Sequence, residues 1–177
     1  MLVSLAAIAG CDRELPTEVE AEIDAAPAQW ATFTSDDGRF SAEFPAAPEE
    51  TTQSVDSPIG SLTITMHTYE SGNTAYMISH LTYPVDPSQY DVDAGLAGAV
   101  QGAASNVSGT VVESNDIEQS GFPGKEALIQ GQDGMHARVR MYIDPNGPTL
   151  FQGLAVGTKP VVNGADAKKF LDSITVK

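Results

Sequence analysis

The chain has 177 residues, 41% of them hydrophobic, which is enough to bury the core of one domain and leaves little for a second. Twenty-four acidic residues against nine basic ones give a formal net charge of −15, which disfavours unaided binding to nucleic acid or to anionic headgroups. A single cysteine excludes a disulfide within the chain, and no stretch reaches the roughly 20 apolar residues that span a bilayer.

The first residues are typical of a bacterial export signal. Leu2-Val-Ser-Leu-Ala-Ala-Ile-Ala9 is a short apolar run, followed directly by Gly10 and Cys11. This arrangement resembles a lipobox, which implies that residues 1–10 are a lipoprotein signal peptide and that Cys11 is acylated. No Lys or Arg precedes the run, and a start codon upstream of Met1 would supply one. The alternative is a buried N-terminal strand with an ordinary free cysteine.

An acidic segment follows the predicted lipidation site. Between Asp12 and Gln29 there are six acidic residues and one arginine, together with two prolines and several alanines. The segment contains too little apolar surface to offset the entropy of ordering it, and its like charges favour extension. We therefore predict a flexible tether over residues 11–29 that holds a folded domain away from the membrane.

Strands are predicted at the start of that domain. Apolar residues alternate in Phe40–Phe44, and a turn at residues 36–38 joins this strand to Trp30–Thr34. Alternation returns in Leu62–His67. The next segment, Ala75–Tyr83, is rich in the aromatic and β-branched residues that suit strands.

A helix is predicted next. Ser88 and Asp91 have the spacing of a capping box, in which each residue satisfies a backbone group of the first turn. Apolar residues follow at helical spacing, namely Leu96, Val100, Ala103 and Val107. Three glycines on this helix, Gly95, Gly98 and Gly102, predict a close approach of the helix to the sheet.

Four strands and a second helix complete the domain. The strands are predicted at Thr110–Gln119, Gly124–Gln130, Met135–Ile143 and Thr149–Val156. Asn163 is the predicted cap of the helix, whose buried stripe is Ala167, Phe170, Leu171 and Ile174. Strands in runs with only two helices predict an α+β domain, with an antiparallel β-sheet flanked by helices.

A family resemblance rests on an ordered set of segments. These are Trp30, Gly38-Arg-Phe-Ser-Ala-Glu-Phe-Pro45, Gly121-Phe-Pro-Gly-Lys-Glu126, Arg138-Val-Arg-Met-Tyr142, Phe151–Val156 and Lys169-Phe-Leu-Asp-Ser-Ile174. Together they resemble the PsbP/Mog1-like domain and cover residues 30–177. The resemblance implies a three-layer α/β/α sandwich and a non-enzymatic protein that docks on something larger: a photosystem for PsbP, a small GTPase for Mog1. No contact motif of either can be matched here.

Three histidines are the first candidates for chemistry. His67, His80 and His136 lie in predicted strands, but none stands at metal-ligand spacing from another His or Cys. No nucleophile elbow or phosphate-binding loop is present in the sequence, so we expect no cofactor and no enzyme activity. The alternative is a small metal-binding protein or enzyme that uses these histidines and nearby acids.

A cationic row on one strand is the second candidate. His136, Arg138, Arg140 and Tyr142 alternate with apolar residues and therefore share one face. Guanidinium groups bind carboxylates and phosphates by their fork geometry, so this row could contact a ligand or partner. Pairing with acids on neighbouring strands is the alternative.

The sequence therefore predicts a lipid-anchored binding or assembly module of the cell envelope, facing the periplasm or the cell exterior. It would be held to the membrane by acylated Cys11 and would contact a protein partner, with no nucleic acid bound. It resembles PsbP-like proteins, and no motif in it indicates a particular reaction.

Overall fold

A computed structural model describes residues 29–57 and 59–177. The predicted signal peptide at residues 1–10, the lipidation site Cys11 and residues 12–28 of the predicted tether lie outside the described residues. Within the described ranges, no helix combines the length and the apolar character that are needed to cross a bilayer.

Strands dominate the described part of the chain. In chain order they are β1 (Ala31–Thr34), β2 (Phe40–Phe44), β3 (Glu49–Ser57), β4 (Gly60–Ser71), β5 (Thr74–Thr82), β6 (Thr110–Gln119), β7 (Phe122–Gln130), β8 (Met135–Asp144), β9 (Thr149–Thr158) and β10 (Thr175–Val176). The helices are α1 (Val92–Asn106), α2 (Lys159–Val162) and α3 (Ala165–Ser173), with a 3₁₀ turn at Pro87–Gln89.

The strands form two antiparallel sheets. The larger has seven strands in the order β3-β4-β5-β9-β8-β7-β6, and the smaller has three in the order β1-β2-β10. The prediction of a three-layer α/β/α sandwich is therefore wrong: the described residues are mostly β, in two antiparallel sheets with few helices. The reason is the first hairpin, which does not extend the main sheet. It pairs instead with the C-terminal strand and occupies a layer that the prediction assigned to helices.

The first core lies between the two sheets. On β2 the residues Phe40, Ala42 and Phe44 are buried, as the alternation predicts, and they face the large sheet together with α3. The ring centroids of Phe44 and Phe170 are 5.1 Å apart, and those of Phe40 and Phe151 are 6.0 Å apart. Burial of these aromatic rings contributes to the hydrophobic stability of this interface.

The second core lies under α1 on the opposite face of the large sheet. Leu96, Val100, Ala103 and Ala104 are buried against β7 and β8. Asp91 is the N-cap, since its carboxylate accepts a hydrogen bond from the Ala94 N–H at 3.0 Å. The predicted cap Ser88 lies instead in the 3₁₀ turn, where Asp86 caps it.

The apolar pattern of the sequence does not predict β3, β10 or the start of α3. Strand β3 is exposed on nearly every residue, so it shows no apolar alternation. Asn163 ends α2 rather than beginning α3, whose N-cap is Gly164. β10 has only two residues and is defined by its pairing with β2.

Candidate docking groove

Only half of one face of the large sheet is covered. Helix α1 contacts β6, β7 and β8, and within residues 29–57 and 59–177 no element packs over the same face of β3, β4 and β5. The result is an open groove of about 600 Å³ beside the helix. It is lined by Gln53, Val55, Ile59, Ile64, Met66, Met77, Ser79, Leu81, Tyr83, Tyr90, Ala94, Gly95, Gly98, Ala99, Gly102, Ala103, Asn106, Leu150 and Gln152.

The floor of the groove is built by strand register. Gln53, Ile64, Leu81 and Leu150 are cross-strand partners on β3, β4, β5 and β9, so they form one row across the sheet. Residues two positions along each strand point to the same face, which places Met66 beside Ile64. Ile64 and Met66 are only half-buried, and Leu81, which is also half-buried, packs against the core under α1.

The wall of the groove is a helix face made of small residues. Ala94, Gly98, Gly102 and Asn106 follow one another at intervals of four and form one ridge along α1. A Cβ at Gly98 or Gly102 would meet no atom within 4 Å. The prediction that these glycines let the helix approach the sheet is therefore wrong for Gly98 and Gly102, which face the open groove.

Two tyrosines close one end of the groove. The rings of Tyr83 and Tyr90 are stacked with centroids 5.2 Å apart, and the Tyr90 hydroxyl lies over Gly95, where a Cβ would overlap it. Burial, followed by the nearby Tyr83 and Asp91, raises the pKa of Tyr90 above its ordinary value. The two stacked rings form the surface at this end of the groove.

The lining is uncharged in a strongly acidic protein. None of the described residues that line the groove is Asp, Glu, Lys or Arg, although the chain carries a net charge of −15. At the tyrosine end, Asp91 follows Tyr90 directly as the N-cap of α1, and Asp86 caps the preceding 3₁₀ turn. An open apolar surface rimmed by polar groups is the usual character of a protein-binding site.

The predicted cationic row lies on the other face of the sheet. Arg138 donates to Glu126 at 3.1 Å and to Asn163 at 2.7 Å, while Arg140 pairs with Asp172 at 2.8 Å. Lys168 and then Arg140 hold the pKa of Asp172 below its usual range.

Tyr142 and His136 stand at the two ends of this row. Tyr142 is 4% exposed and belongs to the core between the sheets, and His136 Nδ1 lies 3.1 Å from the Gly134 carbonyl oxygen. The structure thus places the four side chains on one face, as predicted, and engages both guanidinium groups with acids of the chain.

Two of the three histidines lie together between the sheets. His67 and His80 stand on neighbouring strands and share one face, with Phe40 5.8 Å from the first ring and 5.3 Å from the second. Burial lowers the pKa of both rings, and the distance from His67 Nδ1 to Glu50 is 3.7 Å. Among the residues described, no cluster of three or more His, Cys, Asp and Glu is arranged to hold a metal ion.

The groove itself was missed at the level of sequence. The alternation of Leu62–His67 and the glycines of α1 stand out in the sequence, whereas β3 gives no signal, and a strand pattern does not show whether an element covers it. The signal that could have revealed it is the shortage of helix: one apolar helix cannot cover a face of seven strands. A helix is about 10–12 Å wide, whereas strands are spaced about 4.8 Å apart.

Comparisons with known proteins define the fold. No family model matches the chain, and no curated protein matches it in sequence. The solution structure of cyanobacterial PsbP (CyanoP) from Synechocystis sp. PCC 6803 matches with a TM-score of 0.57 and 6% identity, over 87% of this chain and 96% of that one. The fold is therefore PsbP-like.

Two further structures are more distant. One from Bacteroides thetaiotaomicron VPI-5482 has a TM-score of 0.39 and 14% identity, over 82% of this chain and 48% of that one. The other, a protein of unknown function from Pseudomonas aeruginosa described as a putative regulator, has a TM-score of 0.34 and 13% identity, over 76% and 86%.

Proposed function

We propose that this chain is a non-enzymatic, lipid-anchored binding module of the cell envelope, which docks on a larger membrane or envelope complex. One observation carries the proposal: the uncharged groove between α1 and strands β3 to β5, in a chain of net charge −15. An exposed apolar face of this size is costly in water, and burial against a partner removes that cost. The PsbP-like fold supports this reading, because the resemblance noted above implies docking rather than catalysis.

Membrane attachment is the second part of the proposal. The apolar run Leu2–Ala9 ahead of Cys11 supports acylation of the cysteine, and the acidic segment that follows would separate the folded domain from the bilayer. Metabolic labelling with a tagged fatty acid tests this directly. We expect label on the wild-type chain and none on Cys11→Ser. Label that persists in Cys11→Ser, or its absence from the wild type, would contradict the anchor.

Photocrosslinking in native membranes tests the docking site. Gly98 is replaced by benzoylphenylalanine, which the open space around its Cβ can accommodate. Val112, another exposed position at 51%, is replaced in the same way as the matched control, because it lies on β6 at the far edge of the sheet. We expect a discrete crosslinked product from position 98 and none from position 112.

A second variant makes the crosslink specific. Ile64→Glu places a carboxylate in the groove floor, where the half-buried position lets it reach water. This variant should abolish the product from position 98. If both positions crosslink equally, or if the Ile64→Glu variant keeps the product, the groove is not the docking site.

A further inference from the structure

We infer that the groove takes a single cationic, amphipathic helix of the partner protein, with small or apolar residues on its buried face. This inference rests on the proposed function and specifies its ligand. Three properties of the groove carry it: its width, the hydrogen bonding of its floor, and its charge.

The width of the open sheet face matches one helix. Helix α1 covers β6, β7 and β8, and the core under it extends to β9 through Leu150, so β3, β4 and β5 remain open on that face. Three strands spaced about 4.8 Å apart span roughly 10 Å between their axes, and a helix with its side chains is about 10–12 Å wide. One helix beside α1 would complete the layer.

The wall favours close helix packing. Gly98 and Gly102 present no side chain on the ridge, so a second helix can approach α1 there to the short end of the usual interaxial range, about 8 Å. The floor supplies the apolar contact. Ile64, Met66 and Met77 lie directly below such a helix, and methionine side chains adapt to varied surfaces.

The floor excludes an extended peptide. Strands β4 and β5 are each paired on both sides, so their backbone groups are already used in the sheet. An extended segment lying across them would bury its own N–H and C=O groups without partners, whereas a helix satisfies these groups internally. Addition of a strand beside the exposed edge strand β3 would leave the groove empty.

The negative charge of this chain favours a cationic partner. The lining carries no charge, Asp91 stands beside Tyr90 at its tyrosine end, and the chain has a net charge of −15, so Lys or Arg flanking an apolar face would be attracted there. A second copy of this chain would bring another net charge of −15, and an anionic lipid would likewise be repelled.

A synthetic peptide tests the inference. The probe is a helix of about 16 residues with Leu and Ala on one face and Lys on the other, long enough to run beside α1. The protein is the full chain carrying Cys11→Ser, so that no acyl group competes for the groove. Binding is followed by calorimetry, by the helical circular dichroism of the peptide, and by the amide resonances of Gly95, Gly98 and Gly102.

Two controls separate groove binding from general attraction between opposite charges. A peptide of the same composition with two central prolines cannot form the helix. Gly98→Leu with Gly102→Leu fills the groove without altering the net charge, while Val112→Leu makes a matched change at the far sheet edge. We expect 1:1 binding that shifts the glycine resonances and falls at least about tenfold with the proline peptide and the double variant, but not with Val112→Leu.

Three outcomes would overturn the inference: no binding, equal binding of the proline peptide, or unchanged affinity in the Gly98→Leu, Gly102→Leu chain. Displacement of the peptide by zwitterionic vesicles would also overturn it in favour of a lipid surface. The crosslinking experiment remains separate. A groove crosslink without peptide binding would reject the helix and leave the docking site intact, whereas loss of the crosslink rejects the proposed function itself.

Discussion

The two faces of the seven-stranded sheet are covered to different extents. One face is closed by the small sheet and α3, which bury Phe40, Phe44 and Phe170 almost completely. The other is closed by α1 over one half only, and the remaining half exposes an uncharged floor. The buried aromatic rings therefore lie on the first face, whereas the open apolar surface lies on the second.

Loss of an aromatic ring should show the largest difference between the faces. Phe40 is 1% exposed and contacts the rings of Phe33, His67, His80 and Phe151, so we expect Phe40→Ala to lower the free energy of unfolding by about 3–5 kcal/mol. Met77→Ala in the groove should cost about 1 kcal/mol or less, because Met77 is only half-buried. Chemical denaturation measures both. Equal losses would remove the distinction between the faces.

The ion pairs on the closed face should contribute less to the free energy of unfolding than the buried ring of Phe40. Glu126 bridges Arg138 and Arg140 and its side chain is 20% exposed, so we expect Glu126→Ala to cost roughly 1–2 kcal/mol after allowance for solvent screening. Glu113 is 4.0 Å from Arg138 and 59% exposed, and Glu113→Gln is the matched control, with an expected cost below about 0.5 kcal/mol. A similar cost for both variants would show that the bridge is no more than a surface pair.

Mild acid should lower the free energy of unfolding through the two histidines on the closed face. Burial lowers the pKa of His67 and His80 below their ordinary 6.5, so the unfolded chain binds protons that the folded chain does not. Stability from this source is complete above that value and is lost as the pH falls through the lowered folded-state values. We expect the free energy of unfolding to begin to decline as the pH falls toward the ordinary histidine value of 6.5, above the range in which carboxylates titrate.

Histidine variants assign that decline. His67→Leu should reduce the dependence on pH, because it removes one buried titrating ring, and His80→Leu should do the same. His136→Gln is the control, since this histidine lies outside the core between the sheets. A pH dependence unchanged in both leucine variants would place the acid sensitivity elsewhere.

The smallest expected effect is a gain on the open face. Gly98 faces the groove, so Gly98→Ala should raise the free energy of unfolding by roughly 0.5–1 kcal/mol through helix propensity alone. Gly95→Ala is the contrast, because the new methyl group would overlap the Tyr90 hydroxyl and should destabilise the helix. Thermal unfolding of the two variants should therefore shift in opposite directions. A loss with Gly98→Ala would mean that the groove is not open.

Much of the secondary structure could be predicted from sequence, because apolar alternation reports local burial. β2 shows this, and β6 has the predicted bounds. β3 could not be found in this way, since its polar side chains contain no burial signal and its pairing with β4 alone defines it. The candidate site was the least predictable part. Gly98 and Ile64 were visible as small and apolar residues, but whether anything covers them depends on the placement of α1.

The alternating strands, the apolar helix stripes and the net charge follow from the sequence, because each depends on side-chain type and local spacing. The pairing of the first hairpin with the C-terminal strand, and the coverage of only half of one face by α1, follow from long-range packing. Both depend on contacts between residues that are far apart in the sequence, because apolar surfaces compete for the same packing partners. The open groove results from that competition.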